Sequence, residues 1–200
     1  MVEGVNRSLF AALSAPPDMS GGALILAWGL ANLLVYMGPV LLILLWVLGE
    51  AGDRHAAVTA ALSALLALAV AATLSASYFH PRPFMDGLSL NYLRHAPDTS
   101  FPSDHATLLF AFGWSLLFVR PPTMRLVWIL AMCLAVAVGW SRVYLGVHYP
   151  FDIIGGAIIA LACAAGLCLP WGRRLALALT AFGERVYNWP LAKLSDRGRK

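Results

Sequence analysis

The chain has 200 residues, 60% of them hydrophobic and only 12% charged, with a formal net charge of +4. Soluble domains carry about 25% charged residues, so this composition excludes the soluble globular class. Charges are almost absent from five stretches, which points to one integral membrane domain over 1–200 with about five helical spans, each needing roughly 20 apolar residues.

In chain order, Leu9 to Ala15 form a short apolar patch after Arg7. It is too weak for a cleavable signal and is expected to be a short amphipathic helix at the membrane interface. Span one is expected from Gly22 to Leu48, longer than a bilayer requires, with a kink at Gly38-Pro39. Span two is expected over Ala56–Tyr78, span three over His105–Val119 and span four over Leu126–Trp140. Fifteen residues at a rise of about 1.5 Å cover only about 22 Å, so the ends of spans three and four must lie near the membrane boundary. Span five is expected over Ile153–Pro170, where Gly155-Gly156 and several alanines permit close helix packing. Cys133, Cys163 and Cys168 lie in apolar stretches and are expected to be small buried hydrophobes. No Cys-x-x-Cys or Cys/His cluster suggests a disulfide or a metal.

With five spans, the loop near Arg54, the Arg120–Arg125 turn and the tail 171–200 share one side. That side carries ten of the fourteen basic residues, seven of them in the tail. The excess of basic residues places it in the cytoplasm, and the tail is expected to rest on anionic lipid headgroups. No motif suggests nucleic-acid binding. The segments around Arg82, His105 and His148 then all face the outer side.

Those segments hold the chemistry. His148 and Asp152 are four apart at a helix entry, with Pro150 between them. If Asp152 accepts the Nδ1 proton, Nε2 presents a lone pair as a nucleophile; read alone, the pair could equally be a helix cap. His105 follows Pro102-Ser103-Asp104. Ser103 or Asp104 can cap the third span, and the helix start is a ready anion site. In that first turn His105 could donate a proton to a leaving oxygen. Arg82 and Arg142 offer planar donor forks for phosphate oxygens.

Arg82-Pro83, then Pro102-Ser103-x-His105, then Ser141-Arg142-x5-His148-x3-Asp152 together resemble the three-part signature of the type 2 phosphatidic acid phosphatase (PAP2) superfamily, over residues 70–160. The surrounding Tyr78–Phe84 and Ser100–His105 segments most resemble bacterial undecaprenyl-diphosphate phosphatases of the bacitracin-resistance type, with Asp104 where the wider superfamily usually has Gly. The superfamily's first motif has a Lys seven residues before the Arg; here Ser75 stands there. Arg94, His80 and His95 in the same outer loop are the candidate substitutes.

The resemblance implies a PAP2-like helical bundle. It also implies that His148 attacks phosphorus to form a phosphohistidine, Asp152 orients it, and His105 protonates the leaving group. Arg82, Ser103 and Arg142 would hold the phosphate oxygens, with no metal or other cofactor. The expected substrate is a lipid-linked diphosphate, undecaprenyl diphosphate, cut at the outer face of the bacterial cytoplasmic membrane. Phosphatidylglycerol phosphate, phosphatidic acid and a lipid A phosphate stay open as alternatives, because the signature reads the phosphate and not the tail. A non-catalytic lipid-binding or transport protein would be expected to lose His148, Asp152 or His105, and all three are present.

Overall fold

A computed structural model describes residues 1–119 and 125–197, with side chains to residue 188. The expected turn at Arg120–Met124 and the side chains of Lys193, Arg197, Arg199 and Lys200 lie outside the described residues. The described residues contain eight α-helices, one short 3-10 turn and no strand. The helices are α1 (Val2–Leu13), α2 (Gly21–Asn32), α3 (Met37–Leu48), α4 (Ala51–Ser77), α5 (Asp104–Val119), α6 (Arg125–Tyr144), α7 (Pro150–Leu167) and α8 (Pro170–Arg197). Gly21–Val47, α4, α6 and α7 are long and apolar enough to cross a membrane, and α5 is a shorter apolar helix. This is a multi-pass, all-helical membrane bundle.

Its centre is built from small residues. Helix α4 buries Ala56, Ala60, Ala64, Ala67 and Ala71, one to each turn. That smooth stripe lets α4 lie close against α5, whose Ala106, Leu109, Phe110 and Ala111 share the same core. Lipid is as apolar as a side chain, so close packing rather than exclusion from water favours this contact. Gly155 and Gly156 serve the same end. A Cβ at Gly156 would sit 2.6 Å from Thr107 Oγ1 and 3.1 Å from the Ser103 carbonyl oxygen, and one at Gly155 would strike the Phe101 ring. The two glycines therefore bring α7 against the start of α5, where the signature residues are.

Several boundaries differ from the sequence expectation. Helix α4 begins at Ala51, before Asp53, Arg54 and His55, because the Asp53 carboxylate accepts the Glu50 backbone N–H at 2.9 Å and starts the helix in polar surroundings. Helix α6 runs on to Tyr144 and so carries Ser141 and Arg142 in its last turn. The first span breaks at the 3-10 turn Leu34–Tyr36, not at Gly38-Pro39. Pro39 falls in the first turn of α3, where a missing N–H costs nothing. Gly38 instead makes room for the Phe112 ring of α5. Cys163 is buried, but Cys133 and Cys168 are exposed.

Helix α1 is more than an interfacial helix. Its Asn6 and Phe10 are buried, and it packs on α6 and α7 at the site end. The tail is likewise a packed helix: α8 crosses the opposite end, with Ala176 and Thr180 buried and Gly183 against Trp46.

Candidate active site

Three segments meet at one end of the bundle: the 78–103 loop, the last turn of α6, and the loop 145–149 leading into α7. Pro150 opens α7, and the Asp152 carboxylate accepts the Tyr149 backbone N–H at 2.7 Å. This cap fixes Asp152 directly beneath His148.

His148 is buried and its tautomer follows from its neighbours. Nδ1 lies 2.8 Å from the Ser100 carbonyl oxygen, which can only accept, so Nδ1 carries the proton. Nε2 faces Arg82 Nη1 at 3.2 Å, and a guanidinium can only donate, so Nε2 presents a lone pair. Asp152 is farther from Nδ1, at 3.5 Å. The pairing expected from the sequence is thus indirect: the backbone of Ser100 takes the proton, and the Ser100 hydroxyl donates a short hydrogen bond to Asp152 Oδ2. Ser100, which touches both His148 and Asp152, is a candidate site residue that the sequence did not mark. It was visible as part of the Ser100-Phe101-Pro102-Ser103 run but had no assigned work. Burial pushes the His148 imidazole down to about 4, the nearby Asp152 opposes that shift, and Arg82 and Arg142 add to it. The ring is therefore neutral near pH 7.

Arg82 is buried and held at three points. Nε donates to Asp98 Oδ1 at 2.7 Å, and Nη1 donates to the Val147 carbonyl at 2.9 Å besides facing His148. Arg142 Nη2 lies 2.7 Å from Nδ1 and 2.9 Å from Nε2 of His105, so it meets the edge of that ring. Ser103 is fully buried at the start of α5, and its carbonyl accepts the Thr107 N–H at 2.9 Å. Its hydroxyl caps nothing. Among the described residues, Ser103 Oγ and Arg142 Nε are buried without a hydrogen-bond partner. Orphaned buried donors are costly, so each of these two groups is a candidate to meet an anion.

The remaining candidates separate by position. Asp104 is exposed, in the first turn of α5. Asp104 and His105 both line an apolar groove of about 470 Å³ whose other walls are Val35, Leu68, Ala72 and Leu108. Arg94 is exposed in the loop. His80 lies against Asp152, with Nδ1 3.8 Å from Asp152 Oδ1. Of the three candidate Lys substitutes, His95 stands beside His148, its ring centroid 6.5 Å from that of His148. Asn91 clasps the His95 backbone through two hydrogen bonds of 2.9 and 2.8 Å. Burial and the Arg82 charge hold the His95 imidazole below its usual range. Ser75, at the Lys position, donates to the Phe101 carbonyl at 3.1 Å and props the loop before α5. Among the described residues, no group of three or more His, Cys, Asp or Glu side chains is placed to hold a metal ion.

A grouping of two arginines, two histidines and one buried carboxylate at the end of an apolar bundle defines a membrane phosphatase-type site. Residues 56–175 match the PAP2 superfamily, and the chain belongs to that superfamily. YbjG of Escherichia coli (strain K12), provisionally named an undecaprenyl-diphosphatase, is 34% identical over 198 residues, covering 96% of this chain and 98% of that one. The undecaprenyl-diphosphatase BcrC of Bacillus subtilis (strain 168) is 30% identical over 122 residues, 61% of each chain. The crystal structure of Aquifex aeolicus LpxE superposes with a TM-score of 0.64 at 22% identity, covering 80% of this chain and 93% of that chain. The last likeness concerns the fold alone.

Proposed function

We propose that this protein hydrolyses undecaprenyl diphosphate to undecaprenyl phosphate and inorganic phosphate, at the outer face of the bacterial cytoplasmic membrane, and so recycles a cell-wall lipid carrier. The observation that carries the chemistry is His148 Nε2: a neutral, buried lone pair whose ring is pinned from behind and faced by Arg82. In this reading Nε2 attacks the terminal phosphorus, an N–P bond forms and the bridging P–O bond breaks. Arg82, Arg142 and the Ser103 hydroxyl take the equatorial oxygens and stabilise the charge of the five-coordinate transition state. Water then attacks the phosphohistidine and releases phosphate.

The state of His105 favours a diphosphate. Arg142 presents N–H to its ring edge, so that edge accepts in the free protein. When a phosphate draws Arg142 onto itself, His105 is released to carry a proton to the leaving oxygen. An anhydride places little demand on this acid, because the departing phosphate monoester has a second pKa of about 6. A glycerol alkoxide, which phosphatidic acid would release, needs far more help. The apolar groove beside His105 suits a tail that remains in lipid while the diphosphate reaches the site. The names of YbjG and BcrC support the same substrate.

The test is phosphate release by purified protein, with and without His148→Ala, on undecaprenyl diphosphate, phosphatidylglycerol phosphate and phosphatidic acid. The expected result is preference for the prenyl diphosphate and loss of release and of trapped phosphoenzyme in the variant. Preference for a glycerophospholipid would overturn the substrate, and normal turnover by His148→Ala would overturn the nucleophile.

A further inference from the structure

Asp152 is fully buried and has two oxygens with unequal surroundings. Oδ2 accepts from the Ser100 hydroxyl and the Tyr149 N–H. Oδ1 has no hydrogen-bond partner, and neither has the buried Nδ1 of His80 that lies 3.8 Å away. A buried carboxylate oxygen left bare is costly, and these two orphans face each other. On the far side of the same ring, His80 Nε2 lies 3.5 Å from Glu3 Oε2. The imidazole thus stands between two carboxylates, one nitrogen toward each.

The ring is held in that position. Tyr78 stacks on it at 6.2 Å between centroids, and Tyr149 meets it edge-on at 5.3 Å. Its backbone is fixed to the loop beside Ser100: His80 N–H donates to Thr99 Oγ1 at 3.1 Å, and its carbonyl accepts from Ser100 N–H at 2.7 Å. A cavity of about 180 Å³ lined by Glu3, Tyr78, His80 and Asp152 gives the ring room to close the remaining gap. Glu3 is placed by α1, whose single docked face carries residues 3, 6, 7 and 10. Buried Asn6 accepts the Phe151 N–H at 3.1 Å. Arg7 pairs at 2.6 Å with Asp86, which also accepts the Tyr149 hydroxyl at 2.8 Å. Phe10 packs edge-on against the Tyr149 ring. One polar and one aromatic contact thus join α1 directly to the segment that carries His148 and Asp152, and a further link runs to it through Asp86.

We infer that His80, backed by Glu3 of the N-terminal helix, is a positioning residue for the reaction. Its Nδ1–H supports Asp152 from the side opposite Ser100, so that the carboxylate keeps the orientation in which it and Ser100 hold the His148 ring. This rests on the phosphatase reading above and deepens it: the amino-terminal helix becomes part of the catalytic assembly.

The geometry gives a sharp test. An Asn side chain places an N–H where His Nδ1 stood, and a Gln side chain places one where Nε2 stood. The full-length protein in detergent would be assayed for kcat and KM on undecaprenyl diphosphate, with melting temperature measured alongside. His80→Ala is expected to lower kcat about tenfold, the lower end for groups that orient a reacting side chain from behind, with KM changed by less than about twofold. His80→Asn should recover most of kcat. His80→Gln should not, because its donor faces Glu3 and leaves Asp152 Oδ1 bare. Wild-type kcat in His80→Ala would overturn the inference, as would a rise in KM at constant kcat. Equal kcat in the Asn and Gln variants would also overturn it, and that comparison decides even if His80→Ala does not fold. If the wild type releases no phosphate from this or any other lipid phosphate, the phosphatase reading fails and takes this inference with it.

Discussion

A histidine that attacks phosphorus must be neutral at its working pH, and the proposal that His148 does so rests on its burial between a backbone carbonyl and a guanidinium. With its imidazole held down to about 4, the acid limb of kcat/KM, which reports the free enzyme, is expected near pH 4. A limb near 6.5, the value of a solvated imidazole, would show that His148 is hydrated in the working enzyme. Stability follows with a definite sign. Between pH 6.5 and 4 the unfolded chain binds a proton at this residue and the folded chain does not. Stability therefore falls as pH is lowered through that window and is independent of this group above it. Melting curves of the wild type across pH 4 to 7, beside His148→Asn, measure it: the variant should show a shallower decline. At this scale the sequence marked the candidate groups, because His148, Asp152, Arg142, Ser103 and His105 lie in tight spacings that a helix entry or end turns into geometry. Ser100, Asp98 and Glu3 were not legible. Each acts through a contact formed only when distant segments meet: Glu3 reaches His80 across the chain, and Ser100 reaches Asp152 from another loop. His80 was singled out as a substitute for the missing Lys, whereas its ring lies against Asp152, since no local pattern says which face of Asp152 a loop will cover.

Helices bring these groups together only because two of them touch where most helices cannot. The approach of α7 to α5 depends on Gly156, whose missing side chain leaves space for Thr107 Oγ1 and the Ser103 carbonyl. Gly156→Ala should destabilise the protein by about 1–3 kcal/mol, the usual range for overpacking. It should also lower turnover, because the displaced backbone is the one that presents Ser103. Gly166, further along the same helix, has open space around the position of a Cβ. Gly166→Ala should therefore leave activity unchanged and the melting temperature equal or higher, since Ala is the better helix former. Equal effects of the two substitutions would mean that α7 tolerates being pushed away from α5. The Gly155-Gly156 pair was legible as a packing signal; its partner was not. Helix ends were the least legible feature, because an apolar run marks the part inside lipid whereas caps such as Asp53 extend the helix into polar surroundings. The break at Leu34–Tyr36 had no local mark at all: Gly38-Pro39 was the visible helix breaker, and tertiary packing of Gly38 against Phe112 uses it otherwise.

Taken whole, the bundle has two unlike ends. One gathers the candidate site, the 78–103 loop and α1. The other is crossed by α8, which Arg54 secures by an ion pair of 3.5 Å to Glu184 and by a cation–π contact of 5.4 Å to the Tyr187 ring. The sequence suggests an orientation for the chain but marks 171–200 only as a basic tail, because its mixed composition passes no test for a span and its helical face becomes apparent only against α3 and α4. The basic residues of that end, Arg54, Arg125, Arg173, Arg174 and Arg185 among the described ones, outnumber Arg7, Arg82, Arg94 and Arg142 at the site end. Two of the latter four, Arg82 and Arg142, are buried at the site, where their placement answers to the chemistry and not to insertion. An excess of basic residues stays in the cytoplasm, so α8 should lie there and the site should open outward. A reporter fused after Lys200 is expected to read cytoplasmic, and one inserted at the exposed Gly87 turn is expected to read external. If both read on the same side, the segment from α5 to α8 crosses the membrane an even number of times between them, and α5, with 16 residues the shortest of the apolar helices α5, α6 and α7, is the one that fails to span. That outcome would put the diphosphate on the wrong face for recycling while leaving the geometry around His148 intact, so topology and chemistry can be tested apart.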